Sequence, residues 1–441
     1  MTTAKKTSFR LSAQIRYGDN IAFARSMDQQ DTLATYRSEF FIPKAKNGDE
    51  CVYLCGNSLG LQPIKARQYI EQELSDWASL GVEGHWNARH PWLPYHENLT
   101  GMAARLVGAR PVEVVIMNTL TTNLHLMMVS FYRPTQKRFK IIVEANAFPS
   151  DQYAVASQAR FHGFDPQKAI IELKPREGES TIATEDIVET INEHGKEIAL
   201  VMLGNVNYLT GQAFHVQEIA KAAHAKGANF GLNLAHGAGN LFLKLHDWDV
   251  DFAVWCGYKY LNAGPGALAG CFVHEKHSRK FDLPRFAGWW GHNKETRFEM
   301  PAQFDALPGA EGWQLSNPPI FQLAALRASM ELFDQATIPA LWQKSKLLTG
   351  YLEFLLDKLP EGFVTIITPR NPDERGCQLS LKISGDGKEL VKQLSEAGVI
   401  CDFREPDIMR VAPTPLYNTF EDVYKFAKVL DQFAQRWVTV G

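Results

Sequence analysis

A lysine at the end of an apolar segment is the first residue in the sequence that suggests chemistry. Residues 252–256 read FAVWC and are followed by Gly257, Tyr258 and Lys259, after which glycine and proline return within seven positions. Ligands of open parallel sheets bind outside the carboxyl ends of the strands, which is where such a lysine would lie. A desolvated amine there could lose its proton near neutral pH and form a Schiff base with a carbonyl compound. Taken alone, the commoner interpretation is a strand-terminal lysine that reaches into water.

Two further polar segments change that interpretation. Asn233 and His236 end another apolar segment, and a run of threonines at 119–122 precedes the apolar helix expected at 124–131. A single threonine usually only caps a helix, but hydroxyl groups and free N–H groups at a helix N-terminus can also hold a phosphate. Pyridoxal-phosphate enzymes of the aspartate aminotransferase type use this set: a strand-end polar residue holds the pyridine nitrogen and a later lysine holds the aldehyde.

Alternating apolar and helical segments must position these residues. From residue 140 onward short β-branched runs alternate with longer helical stretches, one of them at 216–226, which predicts βαβ units and a mostly parallel sheet. The candidate buried strands are 140–144, 198–203, 229–234, 252–256 and 267–273. After Pro318 one long amphipathic region, 320–359, leads to strand-like segments at 378–384 and 408–411, which indicates a smaller α+β domain. We therefore predict an N-terminal segment (1–49) on the small domain, a large cofactor-binding domain (50–318) and a small C-terminal domain (319–441).

Composition excludes several classes of protein. Of the 441 residues 45% are hydrophobic, which excludes a generally disordered chain. The 46 basic and 49 acidic residues nearly balance, which excludes a protein that binds the phosphate backbone of a nucleic acid. The N-terminus lacks the apolar stretch of a secretory signal, no segment reads as a membrane span, and the six cysteines are sparse, so we expect a cytoplasmic protein. We expect no metal site, because Asp247, Asp249 and Asp251 lack the glycine of a calcium loop and residues 274–277 (HEKH) are not HExxH.

From about residue 50 to the C-terminus the sequence closely resembles the kynureninase family. The matching segments are LCGNSLGLQP (54–63), MNTLTTNLHLMM (117–128), EANAFPSDQYA (144–154), LAHGAGN (234–240), HDWDVDFAVWCGYKYLNAGPG (246–266), GWWGH (288–292), SNPPI (316–320) and MRVAPTPLYN (409–418). The resemblance implies a fold-type I pyridoxal-phosphate enzyme with a seven-stranded, mostly parallel sheet. It also implies hydrolysis of L-kynurenine or its 3-hydroxy form to the anthranilate and L-alanine, in tryptophan catabolism and NAD biosynthesis, by a homodimer with shared active sites.

The resemblance also assigns roles to individual residues. Lys259 is the expected Schiff-base lysine and proton carrier at the substrate α-carbon, and Tyr258 the expected proton donor during carbon–carbon cleavage. The other expected cofactor contacts are Leu120, Thr121, Phe148, Pro149, Ser150, Asp151, Gly204, Asn233 and His236, with Trp289 and Asn317 supplied by the neighbouring subunit. Ser58, His85 and Asn317 are candidates for the aryl end of the substrate. Arg410 is the candidate for its α-carboxylate, because a guanidinium can bind a carboxylate bidentately.

Two segments depart from the family pattern. In 203–212 the family commonly has a serine where this sequence has Gly204 and a histidine where it has Asn207. The resemblance places an aspartate before Leu234-Ala235-His236, where this sequence has Asn233. Asparagine has nearly the same shape but no charge, so we hypothesise a cofactor-binding chain with slow turnover. The alternatives are a catalytically impaired homologue, favoured by Asn233, and another pyridoxal-phosphate enzyme such as an aminotransferase or a cysteine desulfurase. A desulfurase would need a mobile catalytic cysteine, and none of the six lies in an evident flexible loop.

Overall fold

The computed structural model describes residues 16–440, so residues 1–15 of the predicted N-terminal segment lie outside the described part of the chain. The strands are β1 (Val52–Tyr53), β2 (Val114–Ile116), β3 (Lys140–Glu144), β4 (Ile170–Leu173), β5 (Ile198–Gly204), β6 (Asn229–Asn233), β7 (Phe252–Cys256), β8 (Ala269–Val273), β9 (Val364–Ile366), β10 (Leu379–Ile383), β11 (Val399–Ile400), β12 (Asp402–Arg404) and β13 (Ile408–Val411). The α-helices are α1 (Ile21–Gln30), α2 (Ile64–Leu80), α3 (Gly84–Asn87), α4 (Glu97–Val107), α5 (Leu120–Phe131), α6 (Pro149–Phe161), α7 (Pro166–Ala169), α8 (Thr184–His194), α9 (Val216–Ala225), α10 (Ile320–Ala336), α11 (Ile338–Leu356), α12 (Gly387–Glu396) and α13 (Phe420–Val440).

A seven-stranded sheet in the order β2-β8-β7-β6-β5-β3-β4 forms the centre of the fold. Strands β4, β3, β5, β6 and β7 run parallel, whereas β8 is antiparallel to both β7 and β2. The prediction of a mostly parallel α/β sheet is confirmed. All five candidate strands form within three residues of their predicted ends.

Both faces of this sheet are covered by apolar side chains. In β7, Phe252 and Val254 pack into the core that contains α5, while Ala253 and Trp255 pack on the opposite side with residues of α4, α9 and α10. Every residue of β7 is buried, which explains why its sequence is continuously apolar rather than alternating. The parallel strands therefore end together at one edge, with their polar terminal residues next to each other.

A second, four-stranded antiparallel sheet, β12-β13-β10-β9, has its own core with helices α1, α11, α12 and α13. The predicted amphipathic region 320–359 is divided into α10 and α11 at Thr337, whose φ of 65° interrupts the helix. Helix α11 contributes to two cores: Ile338 and Leu341 pack with the large sheet, and Leu348 and Leu352 pack with the small one. Among residues 16–440 there is no helix with the length and apolarity needed to cross a bilayer.

Asp251 links the start of β7 to the start of β6, two of the strands that end at the candidate site. Its carboxylate, 2% exposed, accepts a hydrogen bond from the N–H of Phe230 at 2.7 Å and contacts His224, Lys276 and His277 within 2.9 Å. Burial opposes ionisation, but these partners prevail and hold the pKa of Asp251 well below its usual range. Its stabilising contribution is therefore present above about pH 4 and is lost as the pH falls further.

We expect Asp251→Ala to lower the free energy of unfolding by about 3–5 kcal/mol, because it leaves the buried N–H of Phe230 and the side chain of His277 without their acceptor and Lys276 without its carboxylate partner. Urea denaturation at pH 7 measures this loss. The exposed neighbour Asp247 provides the control, since Asp247→Ala should change stability by less than about 0.5 kcal/mol. Equal effects of the two substitutions would contradict the role assigned to Asp251.

Candidate active site

A cavity of about 170 Å³ lies at the carboxyl ends of β3, β5, β6 and β7. This is the edge at which open parallel sheets bind ligands. Its lining brings together residues that are far apart in the sequence: Thr119, Leu120, Thr121, Glu144, Phe148, Ser150, Asp151, Gly204, Val206, Tyr208, Asn233, Ala235, His236, Tyr258 and Lys259. Most of the predicted cofactor contacts are therefore in one place.

Lys259 and His236 form the centre of this cavity. The Nζ atom of Lys259 lies 3.0 Å from Nε2 of His236, and it also faces the rings of Phe148 and Tyr258 at 5.7 and 5.8 Å. Burial lowers the pKa of Lys259, although the neighbouring Cys256 opposes that shift. Burial, followed by the charge of Lys259, lowers the pKa of His236 well below its ordinary value. A neutral imidazole can accept a hydrogen bond from the lysine, and a neutral lysine is a nucleophile and a base.

One end of the cavity is suited to an anion. Helix α5 begins after Thr119, whose side chain makes no capping hydrogen bond to the first turn. Helix α6 begins at Pro149 nearby, and the hydroxyls of Thr121 and Ser150 are 2.8 Å apart across the two helix N-termini. Helix N-termini attract negative charge through their N–H groups and their dipoles. Together these groups form a polar cradle with the donors that a phosphate requires.

Asn233 and Asp151 are hydrogen-bonded to each other. The Oδ1 atom of Asn233 accepts from the N–H of Ala235 at 2.8 Å, and its Nδ2 donates to Asp151 Oδ2 at 2.7 Å. The backbone donor fixes the orientation of the amide, since the reversed amide would place two N–H groups against each other. Burial raises the pKa of Asp151 to about 6, while the bond from Asn233 and the charge of Lys259 act in the opposite direction. Asp151 is thus the carboxylate nearest to the position where the resemblance places an aspartate.

Aromatic side chains flank the cavity. Phe148 is 44% exposed and meets Tyr208 edge to face at 5.4 Å. Burial, together with the nearby Cys256, raises the pKa of Tyr258 to about 12, so this phenol keeps its proton at neutral pH. A protonated phenol beside the lysine can act as a proton donor.

The candidates for binding the substrate lie in different places. Arg410 is buried and donates a hydrogen bond to Ser58 Oγ at 3.1 Å, so these two residues are together, and Arg410 influences the pKa of Lys259. His85 packs between Trp86 and Trp92, and its buried Nδ1 has no hydrogen-bond partner among the described residues. Of the residues predicted to contact the cofactor or the substrate, those that do not line the cavity within the described chain are Ser58, His85, Pro149, Trp289, Asn317 and Arg410.

Of the cavity-lining residues that were not predicted, Glu144 and Tyr208 carry polar groups. Glu144 ends β3, is fully buried and accepts a hydrogen bond from the N–H of Gly204 at 2.7 Å; burial raises its pKa to about 8. Tyr208 follows β5 and contributes both its ring and its carbonyl oxygen. Their positions after predicted strands could have indicated both, because the same argument identified Asn233 and Lys259.

These residues fit pyridoxal phosphate at three separate points. The cradle of Thr121 and Ser150 suits the phosphate, Lys259 suits the aldehyde, and Asn233 suits the ring nitrogen. The buried Nδ1 of His236 has no partner among the described residues, which leaves a polar atom for a ligand to satisfy. Hydroxyl, amine, amide and imidazole groups that converge on one cavity are typical of a cofactor site rather than of a packed core.

Comparison with known proteins gives concordant results. Residues 341–430 match the family model of the kynureninase C-terminal domain. The chain is 67% identical to a kynureninase from Myxococcus xanthus over 419 residues, covering 95% of this chain and 98% of that protein. It is 50% identical to a kynureninase from Nematostella vectensis over 431 residues, covering 93% of each chain.

Solved structures support the fold. A cysteine desulfurase from Thermococcus onnurineus superposes with a TM-score of 0.72 at 18% identity, covering 90% of this chain and 99% of the other. A K223A variant of C-DES, with glycine covalently linked to its pyridoxal phosphate, gives 0.74 at 17% identity with the same coverage. At such identities the likeness concerns the fold alone, whereas identity of half or more over nearly the whole length shows that the chain belongs to the kynureninase family.

Proposed function

We propose that this chain is a pyridoxal-phosphate-dependent hydrolase that cleaves L-kynurenine or 3-hydroxy-L-kynurenine into the corresponding anthranilate and L-alanine. The observation that supports this most directly is Lys259, whose amine lies in a cavity with a phosphate cradle at one end and Asn233 at the other. Kynureninases at 50–67% identity support the choice of substrate. Of the cysteines, all six of which the structure describes, none lines the cavity, so a desulfurase reaction has no nucleophile there.

When bound, pyridoxal phosphate supplies an electron sink for the charge that develops at the substrate α-carbon. The residues that would hold it are Lys259 at the aldehyde, Thr121 and Ser150 at the phosphate, and Asn233 at the ring nitrogen. Phe148 and His236 would flank the ring. Each of these side chains lines the same cavity.

The proton transfers are assigned to Lys259 and Tyr258. Because burial lowers the pKa of Lys259, its amine is a suitable base for the α-proton once the substrate occupies the site. The phenol of Tyr258, protonated at neutral pH, would return a proton to the carbon released when the bond to the aryl carbonyl breaks. Water adds to that carbonyl, so the aryl product leaves as a carboxylate.

The two ends of the substrate would be held by different groups. Arg410 would bind the α-carboxylate through its planar guanidinium. His85 and the partner subunit's Asn317 would face the aryl ring. Ser58, which the resemblance also assigns to that end, is hydrogen-bonded to Arg410 and would lie at the carboxylate end. The aromatic rings of Trp86 and Trp92 around His85 provide the apolar surface that an aryl group needs.

The test of this function is a turnover assay with kynurenine and 3-hydroxykynurenine, side by side, on the protein loaded with pyridoxal phosphate. We expect formation of anthranilate or its 3-hydroxy form in equal amounts with alanine. Cofactor absorbance that becomes fixed to the protein after borohydride treatment would establish attachment independently. Attachment without turnover of either substrate would contradict the proposed reaction but not the cofactor site.

We further propose a cytoplasmic homodimer in which each active site uses residues of both chains. Trp289 is 45% exposed and Asn317 is exposed, although the resemblance assigns both to the cofactor. A second copy of the chain would bring them to the site. A reducing compartment agrees with six cysteines that are all free thiols.

Sharing of the sites predicts complementation between inactive chains. We expect Lys259→Ala and the double variant Trp289→Ala/Asn317→Ala each to be inactive alone. Co-expressed in equal amounts, they should recover about a quarter of the wild-type activity, because half of the dimers are mixed and each mixed dimer has one intact site. Activity of differently tagged, co-purified dimers measures this, and no recovery in verified mixed dimers would rule out shared sites.

A further inference from the structure

Asp402 and Arg410 form a pair on adjacent strands next to the active site. Strands β12 and β13 run antiparallel with Asp402 directly opposite Arg410. The guanidinium of Arg410 donates from Nε to Asp402 Oδ1 at 2.7 Å and from Nη2 to Asp402 Oδ2. This bidentate contact holds the plane and the direction of a side chain that is only 1% exposed.

The remaining donors of Arg410 are almost all occupied. Nη1 donates to the carbonyl oxygen of Tyr208 at 2.8 Å, and Nη2 also donates to Ser58 Oγ at 3.1 Å. A guanidinium has five N–H donors, and these four bonds leave one N–H, on Nη1, without a partner among the described residues. A substrate carboxylate that binds bidentately needs two, so one existing bond must be exchanged.

Ser58 is the partner most easily exchanged. Its hydroxyl is neutral and already donates to Asp402 Oδ2 at 2.5 Å, so it keeps that bond when Arg410 turns to another acceptor. Tyr208 is bound through its backbone, and Asp402 through two charge-assisted bonds. Exchange of Ser58 for a carboxylate therefore replaces a neutral acceptor by an ionised one at the Nη1 and Nη2 edge.

The charges of this cluster favour the same exchange. Arg404 Nη2 lies 3.3 Å from Asp402 Oδ2, so one carboxylate faces two guanidinium groups and the cluster has one positive charge in excess. Although burial alone would raise the pKa of Asp402, the bonds and charges of Arg410, Ser58 and Arg404 lower it. One further carboxylate would neutralise the cluster.

We propose that Asp402 is the positioning residue of the carboxylate site: it fixes Arg410 by one edge so that the substrate α-carboxylate binds the other edge by displacing Ser58. This inference rests on the proposed function for the identity of the substrate. It assigns a role to a residue whose carboxylate, within the described chain, bonds to Arg410, Arg404 and Ser58, and which would act on the substrate only through Arg410.

The test compares kynurenine with decarboxylated kynurenine, which lacks only the carboxylate. For Asp402→Asn we expect the KM of kynurenine to rise at least tenfold while kcat changes less than about threefold, because the lost interaction is made in substrate and transition state alike. The inhibition constant of the decarboxylated amine should not change. Asp402→Glu, which keeps the charge, should recover most of the affinity, and Glu405→Gln, an exposed acid on the same hairpin, is the control.

Three results would overturn the proposal: an unchanged KM, a fall in kcat without a rise in KM, or an equal loss of affinity for the acid and the amine. The last would indicate a purely structural role. If Asp402→Asn does not fold, Ser58→Ala tests the displacement instead: it should leave the KM of kynurenine unchanged or lower it, and a tenfold rise for kynurenine but not for the amine would overturn the proposal. If the wild type shows no turnover, binding of L-alanine, followed through the cofactor absorbance, replaces KM, so that failure of the reaction and failure of this proposal remain distinct.

Discussion

Replacing Lys259 with alanine should reduce kynurenine turnover by at least about a thousandfold, the largest effect expected of any single substitution. The amine is the group in the cavity that can both attach the cofactor covalently and move the α-proton, and positioned proton transfer alone accounts for about 10²–10⁴ in rate. Steady-state assays of the loaded protein measure the loss. Borohydride should fix the cofactor to the wild type and not to Lys259→Ala.

The exposed Lys280, which does not line the cavity, offers a matched control, since Lys280→Ala removes an equal charge. It should leave both turnover and borohydride fixation unchanged. A Lys259→Ala variant that kept more than about a tenth of the wild-type rate would remove the proton carrier from the mechanism.

Replacing Asn233 with aspartate should raise kcat, on the order of tenfold to a hundredfold. A hydrogen bond to a charged group is worth about 1.5–3 kcal/mol, and about 1.4 kcal/mol corresponds to a tenfold change in rate. The amide of Asn233 already holds Asp151, so a carboxylate at 233 would face the Asp151 carboxylate at 2.7 Å. Two carboxylates at that distance share a proton, or stay ionised only beside a cation such as a protonated ring nitrogen.

Turnover of both kynurenines by the two forms measures the gain, and the absorbance of the bound cofactor reports the protonation of its ring without turnover. Asp151→Asn in the Asn233 background is the complementary variant and should lower the rate further, because it removes the carboxylate closest to the ring-nitrogen position. No increase in kcat for Asn233→Asp would refute the hypothesis that this chain is slowed by its asparagine.

Local patterns predicted the parts of the site that depend on strand ends. Lys259, Asn233 and His236 follow buried strands, and parallel strands bring their carboxyl ends to one edge whatever the intervening sequence. The direction of a strand could not be predicted in the same way. Strand β8 is antiparallel and buried on both faces, so residues 267–273 lack the alternation of apolar and polar residues that would distinguish it from a parallel strand. The break at Thr337 was also not predicted, since an amphipathic pattern continues across it.

Contacts between segments that are distant in the chain could not be predicted from the sequence. Arg410 could be identified as a carboxylate binder by resemblance, but its pairing with Asp402 and Ser58 depends on the register of β12 and β13 and on the approach of residues 55–62. The contribution of Trp289 and Asn317 depends on a second chain, about which one sequence contains no geometric information. These remain proposals that the experiments above address.

The shared helix α11 has a consequence for how the protein loses its structure. One rigid helix supplies apolar side chains to the cores of both sheets, so melting of either core exposes part of the same helix and weakens the other. Independent unfolding of the two sheets is thereby disfavoured. Local opening of the small sheet should cost a substantial part of the free energy of global unfolding. We therefore expect the chain to unfold in a single cooperative transition, despite having two sheets.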